Sequence, residues 1–460
     1  MKKNDKLFPF IMFMLVSFII ILGTDGCSKS KDEGQTIGSD YTREQAITDT
    51  TIAAQELTGE ARERGTRAID TSVAGEITYW TWDHAAPYYA EQFTKKFPNA
   101  KVTVNVYPDY ANRLAQAMAT GVEVPDVTMV ENAFYGREAN NPAMEDLGRA
   151  PYNADSMRND YYEFWWEAGR GIDGTLRVVP NAPGMSGNFY RRDVARSLFG
   201  TDDPEEVGVR LKDWESALRL GIELKNKTGK FIIADAYEVF ITMLHQNDRA
   251  YVENNVLNTD MFIEPLKMAR RFREAGVDAK QYGWTPEWSA GITNGDVLMY
   301  ISGSWAESYI IIANVQNTQD GLWGVTSTPG GNVNNGGNGF SIPKAAKNKS
   351  LAWEFINFSI TDLDMQADQL KLFACFPGLK EAINDSYFGL PVPLFNGQKA
   401  RLKYSELGET IIVPHLTAYD SAIRTIIGKY TENVFNGEMT PEAAVALMKE
   451  EVVSQFRELR

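Results

Sequence analysis

Past residue 74 the chain alternates between two hydrophobic rhythms. In "EITYWTW" (76–82) every second residue falls on one face, as in a half-buried strand, and "AAPYYAEQFTKKFP" then carries apolar residues at helical spacing until Pro98 stops it. "AKVTVNVYP" alternates again through Val102, Val104 and Val106. "YANRLAQAMATG" predicts a helix closed by Gly121, where a left-handed cap is common, and "VPDVTMVE" a third strand. This β-α-β-α-β order implies parallel strands with helices on both faces.

The alternation continues. "TLRVVPNAP", "GNFYRRD", "KFIIADAY", "DVLMYISGS", "WGVTSTP" and "GNGFSIPK" predict strands. Trp214–Thr228, Glu238–Gln246, Thr259–Ala275 and Trp305–Val315 predict helices. Beyond Lys349 helices dominate, at Ser350–Ile360, Met365–Leu372, Leu416–Thr431 and Thr440–Phe456. "GGNVNNGGNG" (330–339) is rich in residues that tolerate positive φ and predicts a loop or hinge. Trp165, Trp166, Trp214 and Trp353 fall on amphipathic helices, where core packing is the expectation.

The N-terminus differs in kind. Lys2, Lys3 and Lys6 precede the apolar run Leu7–Leu22, which has the form of an export signal over residues 1–26. The run is marginal in length for a membrane span, which is the alternative. Gly23-Thr24-Asp25-Gly26-Cys27 then resembles a bacterial lipobox, with Cys27 as the lipidated residue. It departs from that pattern at Thr24 and Asp25, and Leu22 stands two places early. Either route puts the body outside the cytoplasm, on the periplasmic side or the cell surface. Residues 28–74 are polar, with few aromatics, and predict a tether.

The 460 residues, 43% hydrophobic, suffice for two or more domains. A net charge of −15 and the absence of a Lys/Arg run exclude a nucleic-acid partner of the usual basic kind. Such a surface also favours a neutral or cationic small ligand over an acidic one. Cys27 and Cys375 form no CxxC pair, and His84, His245 and His415 no i, i+4 pair, so neither a metal site nor a disulfide framework is expected. Cys375 is expected as a small buried apolar residue.

Six pieces in order carry a resemblance: "GEITYWTWD", "KKFPNAKVTV", "PDVTMVE", "DGTLRVVPNAPGMSGNFYRRD", "ITNGDVLMYISGSWAESYI" and "GVTSTPGG…GGNGFSIPKAAKNKSLAWEFINF". Over residues 75–456 the chain resembles family 1 extracellular solute-binding proteins, the sugar-binding components of ABC importers related to maltose-binding protein. The resemblance implies a two-lobed α/β fold of the type II periplasmic-binding-protein kind, with discontinuous lobes joined by hinge crossovers. Residues 75–182 plus 337–390 would form the N-terminal lobe, and 183–336 plus 391–460 the C-terminal lobe. Crossings are expected at Pro180–Gly187, at 330–337 and near Gly389–Pro393.

A sugar offers C–H faces to aromatic rings and hydroxyls to carboxylates and amides. In open α/β sheets such ligands sit beyond the carboxyl ends of strands. Residue types and strand ends therefore nominate Trp82, Asp83, Glu131, Asn132 and Glu238, with His84 beside them. Trp80, two residues deeper, is expected in the core. The resemblance adds Asn181 and Met185, with Ser186, on the first crossover. It also places an acid and aromatics at Asp235 and Tyr237, and a stacking indole at Trp305. Asn338, Trp284, Trp288 and Tyr419 are weaker candidates. The expected protein captures a carbohydrate, an oligosaccharide, and delivers it to ABC permease subunits. It acts as a monomer on a lipid anchor, with no cofactor and no catalysis.

Two other readings stay open. One is a binding protein for another neutral or cationic solute such as a polyamine. The other is a secreted glycosidase, with Asp83, Glu131, Glu238 and Glu287 as candidate carboxylates. "GRGIDG" matches a nucleotide fingerprint but precedes a strand rather than a helix, so that reading fails.

Overall fold

The structure is a computed structural model describing residues 70–316 and 318–460. The export segment, Cys27 and nearly all of the expected tether lie outside the described residues.

The first three strands form as their rhythm predicts: β1 (Gly75–Thr81), β2 (Ala100–Val106) and β3 (Val127–Glu131). β1 pairs in parallel with both neighbours, with Tyr79 opposite Val104 and Val127. The helix Ala86–Lys96 buries Tyr89 and Phe93 against them and carries Lys95 and Lys96 in its last turn, where cations complement the helix dipole. The helix Tyr110–Thr120 ends at Gly121, whose φ of 70° supplies the expected left-handed cap.

Two strands tie this half to the rest. The sequence divides the first crossover into two strands, "TLRVVPNAP" and "GNFYRRD"; the structure has one, β4 (Val179–Arg191), buried at all 13 positions. Its prolines explain the difference. Pro180 and Pro183 each lack an N–H, and they face Gly339 and Gly337 of β10 (Asn334–Ser341), next to register shifts that absorb the missing ladder bonds. Part of the expected 330–337 loop is therefore strand.

β5 (Phe231–Ile233), the short hairpin β6 (Val252–Glu253) and β7 (Val256–Leu257), β8 (Val297–Gly303) and β9 (Trp323–Thr326) complete the strands. The main sheet runs β2-β1-β3-β10-β4-β8-β5, with β9 on β4. β1–β3 form the sheet of one lobe, and β5, β8 and β9 that of the other. β4 and β10, antiparallel to each other, pass between them.

Trp214–Thr228 forms as predicted, capped by Asp213, whose carboxylate accepts from the Ser216 N–H. Three helical expectations are corrected in detail. Thr259–Phe262 is a 3-10 turn before the helix Ile263–Glu274. Trp305–Val315 winds as a π-helical stretch, Glu307–Ile312, before Ala313–Val315. The span Leu416–Thr431 holds the helix Asp420–Gly428, and the stretch around the expected crossing near Gly389–Pro393 consists of 3-10 turns, Ser386–Gly389 and Pro393–Phe395. The helices Arg192–Phe199, Pro204–Arg210, Pro286–Asn294 and Ala400–Gly408 had no counterpart in the pattern.

Trp166, Trp214 and Trp353 are buried as expected, and so is Trp80. One apolar cluster fills the β1–β3 lobe around Tyr79, Phe93 and Phe355. Another fills the far lobe around Phe240, Phe262 and Ile427. The third takes Tyr110, Phe134 and Tyr135 from one lobe and Phe189, Trp323 and Tyr404 from the other, so the two lobes share apolar packing.

Candidate functional site

Where β3 ends, the chain turns through Asn132–Phe134 into the short helix Tyr135–Ala139. That turn forms one wall of a cleft between the lobes, with Arg137 and Trp165 beside it. His245, Tyr251 and Arg424 line the opposite wall, Asn334 of β10 lies at the hinge, and part of the 411–416 loop closes one end.

Asn334 ties the hinge to this wall. Its amide donates to Asn132 Oδ1 at 3.2 Å and to the Gly336 carbonyl at 2.9 Å, and its Oδ1 accepts from the Gly184 N–H at 3.0 Å. Across the cleft, Arg424 donates to the Ala133 carbonyl at 3.4 Å and lies 3.2 Å from His245 Nε2. Burial, reinforced by the Arg424 charge, pulls the His245 pKa down to about 3. The ring is therefore neutral near pH 7, and because arginine only donates, Nε2 is the acceptor. Asp420, one helical turn before Arg424, accepts from the Thr417 hydroxyl and, at 3.1 Å, from the Thr417 N–H. Burial pushes its pKa up to about 6. Trp165 is fully buried, stacks on Tyr135 at 4.5 Å between ring centroids, and leaves its indole N–H without a partner.

Trp305 begins a second group on the far lobe. Its indole N–H donates to the Asn335 carbonyl at 2.8 Å, and its ring lies against Gly303 and Gly336, where a Cβ would strike it. Trp284, 54% exposed, lies nearly parallel to Trp305, at 11° and 6.0 Å between centroids. Thr285 caps the helix that follows, accepting from the Trp288 N–H, so Trp288 lies in its first turn. Tyr237 packs between Phe240 and Tyr282, 5.8 Å from each. Glu238 accepts from the Ile301 N–H at 3.4 Å, and burial pushes its pKa up to about 8. Near pH 7 its carboxyl is protonated and can donate as well as accept. Asp235 caps its own helix and pairs with Arg273 at 3.2 Å.

On the near lobe Trp82 stacks on Tyr110 at 4.7 Å. The Tyr110 hydroxyl accepts from the Glu131 N–H at 2.9 Å, and burial raises the Glu131 pKa. Asp83 accepts from the Ala85 N–H at 2.8 Å at the start of the following helix.

Of the nominated residues, Asn132 alone lines the cleft directly. Trp82, Asp83 and Glu131 gather at the strand ends of one lobe, and Tyr237, Glu238 and Trp305 on the other. Asn181, Met185 and Asn338 lie in the interior. Asn181 donates to Asn338 at 2.8 Å and accepts from Gln366 and Gln369 at 3.1 and 3.0 Å, so it braces the crossover. Met185 is fully buried against Gly408, and Ser186 is fully buried beside the Val333 backbone. His84 is exposed, and Tyr419 turns away to donate to Glu458 at 3.1 Å. Cys375 is half-buried, and burial raises its thiol pKa. Arg424, His245, Asp420 and Tyr251 carried no sequence signal, and Trp165 was assigned to the core alone.

Among the described residues no group of His, Cys, Asp and Glu could hold a metal, and no helix is long and apolar enough to cross a membrane.

Two lobes, strands passing between them and a cleft lined from both sides define a solute-binding architecture. Residues 88–388 match the family described as Bacterial extracellular solute-binding protein, and the chain belongs to that family. A solved family 1 extracellular solute-binding protein, 19% identical, superposes with a TM-score of 0.76 over 82% of this chain and 99% of its own. The sugar-binding protein MalE from Xanthomonas citri gives 21% identity and a TM-score of 0.69 over 83% and 98%. A binding protein from B. animalis subsp. lactis Bl-04, solved with beta-1,6-galactobiose, gives 20% and 0.63 over 84% and 98%. No curated protein sequence matches the chain.

Proposed function

We propose that this protein captures a carbohydrate, an oligosaccharide, in the interlobe cleft and delivers it to ABC permease subunits. The observation that carries the reading is a pair of aromatic platforms, Trp82 on Tyr110 at the strand ends of one lobe and Trp305 beside Trp284 on the other, with the Glu131 and Glu238 carboxyls on the same two lobes. The MalE relative is described as sugar-binding, and the B. animalis relative was solved with a disaccharide. A disaccharide of about 20–25 heavy atoms at about −0.3 kcal/mol each gives roughly −7 kcal/mol, a micromolar complex suited to capture and release. We place the lobes at 75–182 plus 337–390 and 183–336 plus 391–460, and anchor a monomer at a lipidated Cys27. A Cys27→Ser chain that still took up labelled palmitate would remove the anchor from this reading.

Calorimetry against a panel of oligosaccharides and polyamines tests capture. Trp305→Ala should weaken sugar binding by about 1.4–2.8 kcal/mol, roughly 10- to 100-fold, through loss of an aromatic platform. Unchanged affinity removes Trp305 from the site. The polyamine reading is disfavoured because Arg137, Arg249 and Arg424 line the cleft. Turnover of glycosides that vanishes in Glu131→Gln would replace the binding reading with the glycosidase.

A further inference from the structure

The cleft of this acidic protein carries a cation without a carboxylate of its own. Three arginines line it. Arg137 pairs with Glu138 at 2.7 Å and Arg249 with Asp260 at 2.7 Å. Arg424 instead spends two of its five N–H donors on a neutral imidazole and a backbone carbonyl. Asp420 feels its charge, but the Asp420 oxygens are occupied by Thr417. The phenols of Tyr237 and Tyr251 also lie within reach of that charge. A half-buried guanidinium facing a cleft, with hydrogen bonds to neutral groups and no carboxylate bonded to it, gains from an anion that bonds it directly. The remaining planar N–H groups fit a carboxylate in two-point contact better than they fit any hydroxyl. The unpartnered indole N–H of Trp165, on the opposite wall, is a further buried donor beside the same cleft. The whole-chain charge of −15 points the other way, toward neutral or cationic ligands, but it is a sum over a surface and says nothing of one wall.

We infer that the captured oligosaccharide is acidic: it carries a uronic-acid carboxylate, which docks on Arg424. This rests on the carbohydrate-capture reading and narrows its substrate class.

The experiment is calorimetry on the full chain with matched pairs, one sugar neutral and its partner bearing a carboxylate, such as galactobiose against digalacturonate and xylobiose against its glucuronate-substituted form. The wild type should bind an acidic member at least 10-fold more tightly than its neutral partner. Arg424→Met should cut acidic-sugar affinity 10- to 100-fold and change neutral-sugar affinity less than 3-fold, while Arg424→Lys recovers part of the loss. Tighter binding of neutral members, or an acidic-sugar affinity indifferent to Arg424→Met, overturns the inference and leaves sugar capture standing. If no sugar of either kind binds, capture itself fails and the inference falls with it. Should Arg424→Met not fold, the wild-type preference within each pair decides.

Discussion

Glu238 and His245 lie on one helix, Ala236–His245, yet respond to pH in opposite senses. Burial raises the Glu238 pKa from 4.5 to about 8. Its contribution to stability is complete below pH 4.5 and is lost as pH climbs through 8. The His245 pKa falls from 6.5 to about 3, so its contribution is present above 6.5 and is lost as pH drops toward 3. Thermal melts across pH separate them. Glu238→Gln should match the wild type near pH 4 and exceed it at pH 9, by about 2–4 °C for each kcal/mol recovered. His245→Gln should lose less stability than the wild type between pH 6.5 and 4. Curves that run parallel to the wild type would show that neither group is perturbed. At this scale the sequence is readable where residue type and position agree. Trp82, Glu131, Glu238 and Trp305 are indoles and acids at or just past strand ends, and they gather on facing lobes. Arg424 escapes because a single cation on an amphipathic helix looks like any solvated charge. Asn181 and Asn338 mislead for the opposite reason: polar residues on a crossover can serve the ligand or the core, and here they satisfy each other in the core.

Among the elements, the crossing of β4 and β10 is the least tolerant of change. A Cβ on Gly184 would fall 2.0 Å from the Asn335 carbonyl, and one on Gly337, at φ 103°, 2.4 Å from that of Ala182. Both clashes are with backbone and cannot be relieved by a rotamer. Gly184→Ala should therefore destabilise by about 2 kcal/mol or more, measured as a fall in urea midpoint. Asn181→Leu should cost a similar about 2–3 kcal/mol by removing the side-chain partner of Asn338 and Gln369 and one of the bonds of Gln366. A variant as stable as the wild type would show that this polar cluster is dispensable. Periodicity located the strands and the long helices well because each has one buried face. It divided β4 because two prolines normally end a strand, and only the opposing glycines on β10 make them tolerable. It overlooked Ala400–Gly408, whose buried face is made of Ala400, Tyr404, Ser405, Leu407 and Gly408 and so gives little apolar contrast in the sequence.

For the whole molecule, the net charge and the cleft disagree, and only folding reveals it. Arg137, Arg249 and Arg424 are far apart in sequence and converge on one gap. Ligand should add stability in proportion to occupancy, about 2.7 kcal/mol at a hundredfold excess over Kd, read as a shift of several degrees in melting temperature. The same addition should contract the particle in small-angle scattering, since a ligand held from both lobes draws them together. A ligand that stabilises without contraction would show a cleft that is already shut.

β4 is a single rod clamped in both sheets, and β10 lies antiparallel against it. Two parallel rods cannot swivel freely as a soft linker would; they can only bend and twist together. Motion between the lobes is thereby reduced to something close to one angular coordinate. A solute held between the lobes would set that angle by its own bulk. A membrane partner that senses the angle would learn whether the cleft is full without touching the cargo.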